Sequence, residues 1–347
     1  MTATTTTTKD KTCKDCESVI GRSLWTLWEP NEYDCENENC NAHLCLKCIN
    51  KHPLYVVVPE DAQPHDMDHA QMKKFCKSCF QTKSYIDFTK TFDVMEGSSS
   101  GFIFLFVHGG AGSRAMFHAH AAELNKRYGH KSILMDLPGH GSLVETPLTL
   151  DTCVATLEGV CKASGITKDS KEKIIYVGVS LGAYTGFYML DKVKDIFDGA
   201  ILIDCGQNVG PEASFKAKMG LVFLSFLSRN MSNASLMAMM AGEIKKSADY
   251  KLLETSFGSG MFFDQGEAQV NCLRSVAPAE LIPKLNIPIL FMNGGKDYRD
   301  SENKWLELCV NKKSELKVYE EGDHFFLHLS RFVDDILTRF DTIAKAL

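Results

Sequence analysis

A serine that could act as a nucleophile lies between two glycines. The segment Gly178–Gly182 (GVSLG) overlaps the end of the apolar run Ile174–Val179 and is followed by a plausible helix. Small residues on both sides of Ser180 allow a sharp turn between strand and helix, which leaves the serine hydroxyl exposed. A helix that begins at this turn also stabilises negative charge that develops beside it. The pattern therefore predicts a nucleophilic serine.

Acidic and histidine candidates follow two later apolar runs. A serine hydroxyl is a weak nucleophile at neutral pH and needs a base, which is in turn oriented by an acid. Asp297 follows the run at 288–292, and His324 follows the run at 316–319. Serine, acid and histidine therefore occur in one of the chain orders that are known for serine triads.

A glycine-rich turn could complete such a site. The segment His108–Gly112 (HGGAG) directly follows the apolar run Phe102–Val107. A turn of this kind can point a backbone N–H group at an oxyanion, here that of Gly110, together with the N–H group of Leu181. We expect these two residues to form an oxyanion hole.

Short apolar runs and helical patterns must position these residues. The runs are bounded by glycine and proline, as buried parallel strands are; they are Phe102–Val107, Ser132–Met135, Ile174–Val179, Ala200–Ile203, Pro288–Met292 and Leu316–Tyr319. Between them, Asp151–Ser164 has the apolar spacing of a helix. The alternation predicts an α/β fold with a mostly parallel sheet, whose functional residues follow the carboxyl ends of the strands.

The motifs HGG, DLPGHG, GVSLGA, GGKD and GDH resemble those of the α/β-hydrolase superfamily in order and spacing, over about residues 90–347. The resemblance implies that Ser180 is the nucleophile, His324 the general base and Asp297 the acid. Asp297 matches the G-x-x-D pattern of the family, and Asp300 is the alternative acid. The serine disfavours the branches that use an aspartate nucleophile, and a triad of this kind needs no cofactor for catalysis.

A long insertion separates two of the predicted strands. The family has a helical cap over the active site here, where a connection of about 2–6 residues would otherwise suffice. We therefore expect a cap insertion at about residues 207–283. The segment Met219–Ala241 is rich in leucine, phenylalanine and methionine, which suit an adaptable apolar surface. A pocket for a lipophilic acyl group and ordinary packing against the sheet explain this composition equally well.

Eight of the 13 cysteines lie in four close pairs near the N-terminus. The pairs are Cys13 with Cys16, Cys35 with Cys40, Cys45 with Cys48, and Cys76 with Cys79. Because no secretion signal is visible, zinc explains them better than disulfides do. Two pairs complete one tetrahedral four-thiolate site, so eight ligands predict two Zn²⁺ ions, and such closed sites are structural rather than catalytic.

Only four residues separate the second pair from the third, which resembles the cross-brace zinc fingers of the FYVE, PHD and RING type. In these fingers pairs one and three bind one metal, and pairs two and four bind the other. A RING-type arrangement would use His43 in place of Cys35. FYVE fingers bind phosphoinositides through a basic R/K-H-H-C-R stretch, and the segment NCNAHLCLKC lacks it. Phosphoinositide binding is therefore disfavoured, and a protein partner is the alternative.

Composition and charge exclude several other classes of protein. The formal net charge is −6, which lacks the basic footprint of a nucleic-acid-binding protein. No apolar run approaches the ~20 residues of a membrane span, and the threonine-rich N-terminus lacks the apolar segment of a secretory signal. We expect a cytoplasmic protein with a disordered tail at 1–12, a zinc-binding domain at 13–85 and a hydrolase domain at 90–347. The segment from Ile86 to Gly101 offers turn residues but no long linker.

The sequence thus predicts a serine hydrolase that cleaves a small-molecule carboxylic ester or thioester with a lipophilic acyl part, through an acyl-enzyme. An acyltransferase or a C–C lyase with the same triad is one alternative. An interaction protein, in which the zinc finger recruits a partner and the hydrolase domain is secondary, is another. The hydroxyl of Ser180 distinguishes these classes, because only the enzymes need it.

Overall fold

The computed structural model describes most of the chain from residue 90 to residue 320 and shorter parts elsewhere. The described residues are 12, 14, 32–35, 39–45, 54–57, 71–74, 78–79, 90–98, 101–193, 195–206, 209–211, 213–216, 218–220, 222–223, 262, 265–297, 300–320, 322 and 324. Most of the predicted tail, and of the apolar segment Met219–Ala241, lies outside them.

The N-terminal part contains two small antiparallel sheets. Strand β1 (Glu32–Asp34) pairs with β2 (His43–Cys45), and strand β3 (Leu54–Val57) pairs with β4 (Gln71–Lys74). The predicted metal ligands Cys13, Cys16, Cys48 and Cys76 lie outside the described residues.

A seven-stranded sheet forms the centre of the second part. Its strands are β5 (Phe92–Met95), β6 (Phe102–Val107), β7 (Lys131–Met135), β8 (Lys173–Val179), β9 (Gly199–Ile203), β10 (Ile289–Gly294) and β11 (Glu315–Tyr319). Their order across the sheet is β11-β10-β9-β8-β6-β7-β5. All neighbouring pairs are parallel except β5 with β7, which is antiparallel. The predicted mostly parallel α/β sheet is therefore confirmed.

Helices connect these strands. Those of the described residues are α1 (His118–Tyr128), α2 (Leu150–Ala163), α3 (Leu181–Lys192), α4 (Gly266–Ser275), α5 (Pro278–Leu281) and α6 (Asp300–Leu308). Helix α2 begins at a capping box, in which the side chain of Thr149 accepts from the N–H group of Thr152 and the Thr152 hydroxyl accepts from the N–H group of Thr149. These bonds satisfy amide groups that a helix start otherwise leaves unpaired.

Both faces of the sheet are buried at its centre, which explains why the interior strands are apolar along nearly their whole length. Every residue of β9 and β10 is buried. On one face, Leu105 shares a core with Leu157 of α2 and Phe187 of α3. The ring of Phe106 instead lies 4.9 Å from that of Phe117, in the short helix before α1. Each fully buried side chain of this size stabilises the fold by roughly 1.5–3 kcal/mol.

The predicted strands agree with the observed ones to within two residues at each end, but one strand was missed. Between residues 86 and 101, where turn residues without a long linker were predicted, β5 lies at the edge of the sheet. This strand is short and only half-buried, so its sequence lacks the continuous apolar run of the interior strands. Within the described part of the chain, no helix combines the length and hydropathy that crossing a membrane requires.

Candidate active site

Ser180 occupies the turn between β8 and α3. Its φ of +48° is a left-handed backbone conformation that is strained for a residue with a side chain. The turn is held by two backbone hydrogen bonds of 2.8 Å, from the Ser180 N–H group to Ile203 O and from the Tyr184 N–H group to Ser180 O. A Cβ atom added at Gly182 would lie 2.5 Å from two carbonyl oxygens at the end of β6. The turn therefore requires glycine at position 182.

The structure brings Ser180, His324 and Asp297 together. His324 Nε2 lies 3.0 Å from Ser180 Oγ, and His324 Nδ1 lies 2.7 Å from Asp297 Oδ2. When Nδ1–H donates to the carboxylate, Nε2 carries the lone pair and can accept the proton of the serine hydroxyl. The His324 side chain is 42% exposed, so water can reach this pair of groups.

Two adjoining turns carry the acid and the histidine. The Lys296 N–H group donates to Gly322 O at 2.8 Å, and the Gly295 N–H group donates to Tyr319 O at 2.6 Å. These bonds join the turn after β10 to the turn after β11, so the positions of Asp297 and His324 depend on each other. The alternative acid, Asp300, begins α6, and its side chain lies outside the described residues.

Asp204 is a second carboxylate of this site, which the sequence analysis missed. One oxygen of Asp204, one of Asp297 and one ring nitrogen of His324 all lie within 4.8 Å of one another. Asp204 directly follows β9, is 5% exposed and has a φ of +53°. Its Oδ1 accepts a hydrogen bond from the N–H group of Gly294 at 3.3 Å. Its position after an apolar run is the signal that could have found it.

A further buried carboxylate, that of Glu302, and the thiol of Cys205 lie close to this site. Glu302 of α6 is fully buried, and a Cβ atom added at Gly206 would lie 2.5 Å from its carboxyl carbon. Burial raises the pKa of the Cys205 thiol, and the charges of Glu302, Asp204 and Asp297 raise it further. Cys205 is therefore a protonated thiol at neutral pH and not a nucleophile.

The predicted oxyanion turn lies against the serine turn. A Cβ atom added at Gly109 would lie 3.4 Å from Ser180 Cβ, and one added at Gly110 would lie 3.9 Å from Leu181 Cβ. Ala111 follows with a φ of +59°, which reverses the chain direction within the turn. The structure thus brings Gly110 and Leu181 together beside the serine.

Two buried histidines support this turn. His108 Nδ1–H donates to Gly109 O at 2.7 Å, and His108 Nε2 accepts from the Leu137 N–H group at 3.0 Å. His140 Nδ1–H donates to Pro138 O at 2.9 Å. Burial lowers the pKa of His108 to about 4 and that of His140 to about 3. Both rings are therefore neutral at pH 7, and each has one donating and one accepting nitrogen.

A buried ion pair joins the loop after β6 to the loop after β7. The guanidinium of Arg114, which follows the oxyanion turn, donates to the Asp136 carboxylate at 2.5 Å. Asp136 also accepts from the N–H and hydroxyl groups of Ser142, each at 2.9 Å. Both charged side chains are fully buried. Removing one partner of such a pair costs about 3–5 kcal/mol, so this pair fixes the loops relative to each other.

Three of the predicted zinc ligands lie close together in the N-terminal part. The Sγ atoms of Cys35, Cys40 and Cys79 lie within 4.8 Å of one another, and Cys35 and Cys79 are buried. These residues come from the second and fourth cysteine pairs. His43, the ligand of a RING-type arrangement, places its Nδ1 2.6 Å from an oxygen of Asp34 instead. Thiolates at this separation can surround one tetrahedral Zn²⁺ ion.

Less than half of the predicted cap is described. Several apolar side chains near the start of the insertion are exposed, with Phe215 at 80%, Met219 at 49% and Phe223 at 57%, whereas Val209 is buried. The rest of the predicted lipophilic segment lies outside the described residues. Helix α4, near the end of the insertion, packs against α3 and contributes Val270 and Cys272 to the core.

One curated relative aligns with part of the chain. It is the sn-1-specific diacylglycerol lipase ABHD11 of Danio rerio, which is 27% identical over 120 residues. The alignment covers 34% of this chain and only 36% of the relative, so the chain spans about a third of that relative's length.

Solved structures share the fold over a larger part of the chain. MenH from S. aureus superposes with a TM-score of 0.59 at 14% identity and covers 74% of this chain and 98% of its own. The esterase EaEST from Exiguobacterium antarcticum superposes with a TM-score of 0.59 at 17% identity and covers 73% and 94%. At this level of identity the likeness shows the fold alone.

A family model gives the assignment. The model described as "Alpha/beta hydrolase family" matches residues 104–336, which include the turn at Ser180, Asp297 and His324. The prediction of a hydrolase enzyme with this fold is confirmed, whereas the zinc-finger resemblance lies before the matched residues and stays a prediction. The chain belongs to the alpha/beta hydrolase family.

Proposed function

We propose that this protein is a serine hydrolase that cleaves a carboxylic ester or thioester with a lipophilic acyl part through an acyl-enzyme. The observation that carries the proposal is the continuous path of contacts from Ser180 Oγ to His324, at 3.0 Å, and from His324 to Asp297, at 2.7 Å. A base within hydrogen-bonding reach of the hydroxyl, itself oriented by a carboxylate, is what activates a serine.

In the first half of the reaction Ser180 Oγ attacks the substrate carbonyl carbon. His324 Nε2 accepts the hydroxyl proton as the new C–O bond forms, and Asp297 stabilises the imidazolium through its bond to Nδ1. His324 then gives this proton to the leaving alcohol or thiol as the tetrahedral intermediate collapses. The acyl group remains on Ser180 as an ester.

The second half repeats these steps with water. His324 takes a proton from a water molecule, which attacks the acyl carbon, and returns the proton to Ser180 Oγ as the acid leaves. In both halves the N–H groups of Gly110 and Leu181 donate to the oxyanion. Each such donor in a preorganised hole contributes about 10²–10³-fold to the rate.

The chemical class of the substrate rests on two supports. A single His324 base and two N–H donors suit an acyl carbonyl rather than a phosphoryl group, which needs more positive charge around it. The names of the diacylglycerol lipase and the esterase similar to this chain favour a carboxylic ester with a lipophilic part. Thioester cleavage, acyl transfer to another alcohol and C–C cleavage would use the same catalytic groups. A substrate screen distinguishes these reactions.

We also propose two structural Zn²⁺ ions in the N-terminal part. The proximity of Cys35, Cys40 and Cys79 supports the cross-brace arrangement, in which Cys76 would complete the second site. Cys13, Cys16, Cys45 and Cys48 would then hold the first ion. Bound zinc would supply folding energy to this part of the chain and no step of the ester chemistry.

Covalent labelling of the serine tests the proposed enzyme. Wild type and Ser180→Ala are incubated with a fluorophosphonate, and the intact mass of each is measured. We expect one adduct on wild type and none on the variant, since only an activated serine displaces the fluoride. A folded wild type that takes no adduct would overturn the proposal, and an interaction protein would become the better account.

A further inference from the structure

A glutamine from the end of the insertion lies against the oxyanion turn. Gln269 is in α4, and a Cβ atom added at Gly110 would lie 2.6 Å from its Oε1 atom. Its side-chain amide therefore occupies the space that any residue other than glycine would fill. The atom nearest to a Cβ at position 110 thus belongs to the insertion, not to the sheet.

The nitrogen of the same side-chain amide reaches the loop after β7, which contains His140. Gln269 Nε2 lies 3.1 Å from His140 Nε2. Because His140 Nδ1–H donates to Pro138 O, Nε2 is the accepting nitrogen and Gln269 is the donor. The His140 ring lies 4.9 Å from the ring of His108, which holds Gly109 O. Gln269 therefore contacts the oxyanion turn directly and also through the two histidines.

A second contact from the insertion meets the turn one residue further on. The N–H group of Phe262 donates to Ala111 O at 2.8 Å, and Ala111 is the residue with a φ of +59°. The Gly109–Gly110 peptide is thus held through His108, and the Ala111–Gly112 peptide, one residue further on, is held through Phe262. Two residues of the returning segment of the insertion, Phe262 and Gln269, therefore contact this turn.

We propose that Gln269 is a positioning residue, which aims the N–H group of Gly110 at the oxyanion and so makes the rate of acyl transfer depend on a docked insertion. The inference rests on the proposed serine hydrolase function. Gln269 acts through Gly110 and His140 and takes no proton itself. A displacement of about 1 Å in such a donor can cost about 10²-fold in rate, so a residue that only holds the turn is expected to affect kcat.

Gln265 provides a matched control, since it lies one helical turn before Gln269 and holds the same helix to a neighbouring loop. Gln265 Oε1 accepts from the Leu148 N–H group at 2.7 Å, and Gln265 Nε2 donates to Thr146 O at 3.0 Å. No hydrogen bond from its side chain to the oxyanion turn is among those of the described residues. Loss of either glutamine weakens the attachment of α4, but only loss of Gln269 removes a contact of Gly110.

The test compares Gln269→Ala, Gln269→Met and Gln265→Ala in the full chain. For each we would measure the rate constant of fluorophosphonate labelling, kcat and KM for p-nitrophenyl butyrate, and Tm. For Gln269→Ala we expect labelling and kcat to fall about tenfold or more with KM within about twofold, because the lost interaction acts in the transition state. Gln269→Met keeps the contact with Gly110 without the donor to His140, and we expect an intermediate loss.

For Gln265→Ala we expect a lower Tm with both rates within about twofold of wild type. Wild-type rates in both Gln269 variants, or an equal rate loss in Gln265→Ala, would overturn the inference and leave the proposed function standing. Absence of labelling in wild type would overturn both. If Gln269→Ala does not fold, the comparison of Gln269→Met with Gln265→Ala decides the question.

Discussion

The carboxylates of Asp204 and Asp297 lie within 4.8 Å of each other, beyond the ends of the adjacent strands β9 and β10. Both also lie within 4.8 Å of a ring nitrogen of His324, and Asp297 makes the hydrogen bond of 2.7 Å. The histidine thus faces two acids, of which one orients it directly. In the proposed mechanism the other acid would place a second carboxylate next to the imidazolium.

Substitution of each acid should separate these two roles. We expect Asp297→Asn to lower kcat by about 10⁴-fold, because the amide favours the wrong tautomer of His324. We expect Asp204→Asn to lower it about tenfold, through the loss of charge alone. Asp198→Asn is the control, since Asp198 pairs with Lys173 at the opposite end of the sheet. A larger loss for Asp204→Asn than for Asp297→Asn would make Asp204 the acid of the triad.

The two buried histidines should make the stability of the fold depend on pH. Burial lowers the pKa of His108 to about 4 and of His140 to about 3, from the ordinary 6.5 of the unfolded chain. Between these values the unfolded chain binds more protons than the folded one, so the free energy of unfolding falls as the pH falls below 6.5. The slope should reach about 1.4 kcal/mol per pH unit for each histidine.

Urea denaturation at pH 7, 6 and 5 measures this slope. In His140→Gln one of the two titrating histidines is absent, so we expect the slope of the unfolding free energy against pH to decrease by the contribution of one histidine. The same slope in wild type and variant would mean that His140 does not titrate between the folded and unfolded states in this range.

The residues that follow buried strands were predictable, whereas contacts between distant segments were not. Ser180 and Asp297 each come after a continuous apolar run, and such runs reflect burial of a strand on both faces. His324 follows the weaker run of β11, an edge strand that includes Lys317. Strand β5 escaped prediction because an edge strand is only half-buried and needs no such run. Local sequence therefore identified the interior of the sheet and its carboxyl ends.

Asp204 and Gln269 show what the sequence does not contain. Asp204 also follows an apolar run, but its distance from His324 depends on the order of β9 and β10 in the sheet. Gln269 belongs to the insertion, whose docking on the oxyanion turn is set by hydrogen bonds such as that from Phe262 to Ala111. Both relationships arise from tertiary packing, which neither periodicity nor motif spacing encodes.

A pair of helical glycines should respond oppositely to alanine. Gly182 in α3 has no space for a Cβ atom, because two backbone oxygens would lie 2.5 Å away, whereas Gly159 in α2 has no atom within 4 Å. We expect Gly159→Ala to stabilise the protein by about 0.5–1 kcal/mol, from helix propensity. Gly182→Ala should destabilise it by about 1–3 kcal/mol and reduce labelling of Ser180. Equal Tm values for the two variants would contradict the close packing at the serine turn.

Zinc content should depend on the N-terminal cysteines and not on those of the hydrolase fold. We expect Cys79→Ser to lower the metal content by about one equivalent, since a four-thiolate site does not hold zinc firmly with three. Cys309→Ser, which alters a buried thiol that donates to Trp305 O, should leave the content unchanged. Elemental analysis of both purified variants measures this, and equal zinc content in wild type and Cys79→Ser would contradict the proposed site.

Removal of zinc by a chelator should affect the N-terminal part of the chain and leave the hydrolase reaction intact. We expect a chelator to remove zinc and lower the stability of the N-terminal part, while hydrolysis of p-nitrophenyl butyrate continues, because the metal takes no part in the triad. Parallel measurements of released zinc and of hydrolysis test this. Loss of hydrolysis in step with zinc release, with the hydrolase fold intact, would contradict a purely structural role.

The formation of an acyl-enzyme on Ser180 is the central claim. The most direct measurement is the intact mass of the protein at short times after mixing with p-nitrophenyl butyrate, for wild type and Ser180→Ala. The account predicts a butyryl adduct on wild type that maps to Ser180, forms with the release of nitrophenol and then decays, and no adduct on the variant. Hydrolysis by wild type that proceeds equally well in Ser180→Ala would contradict it.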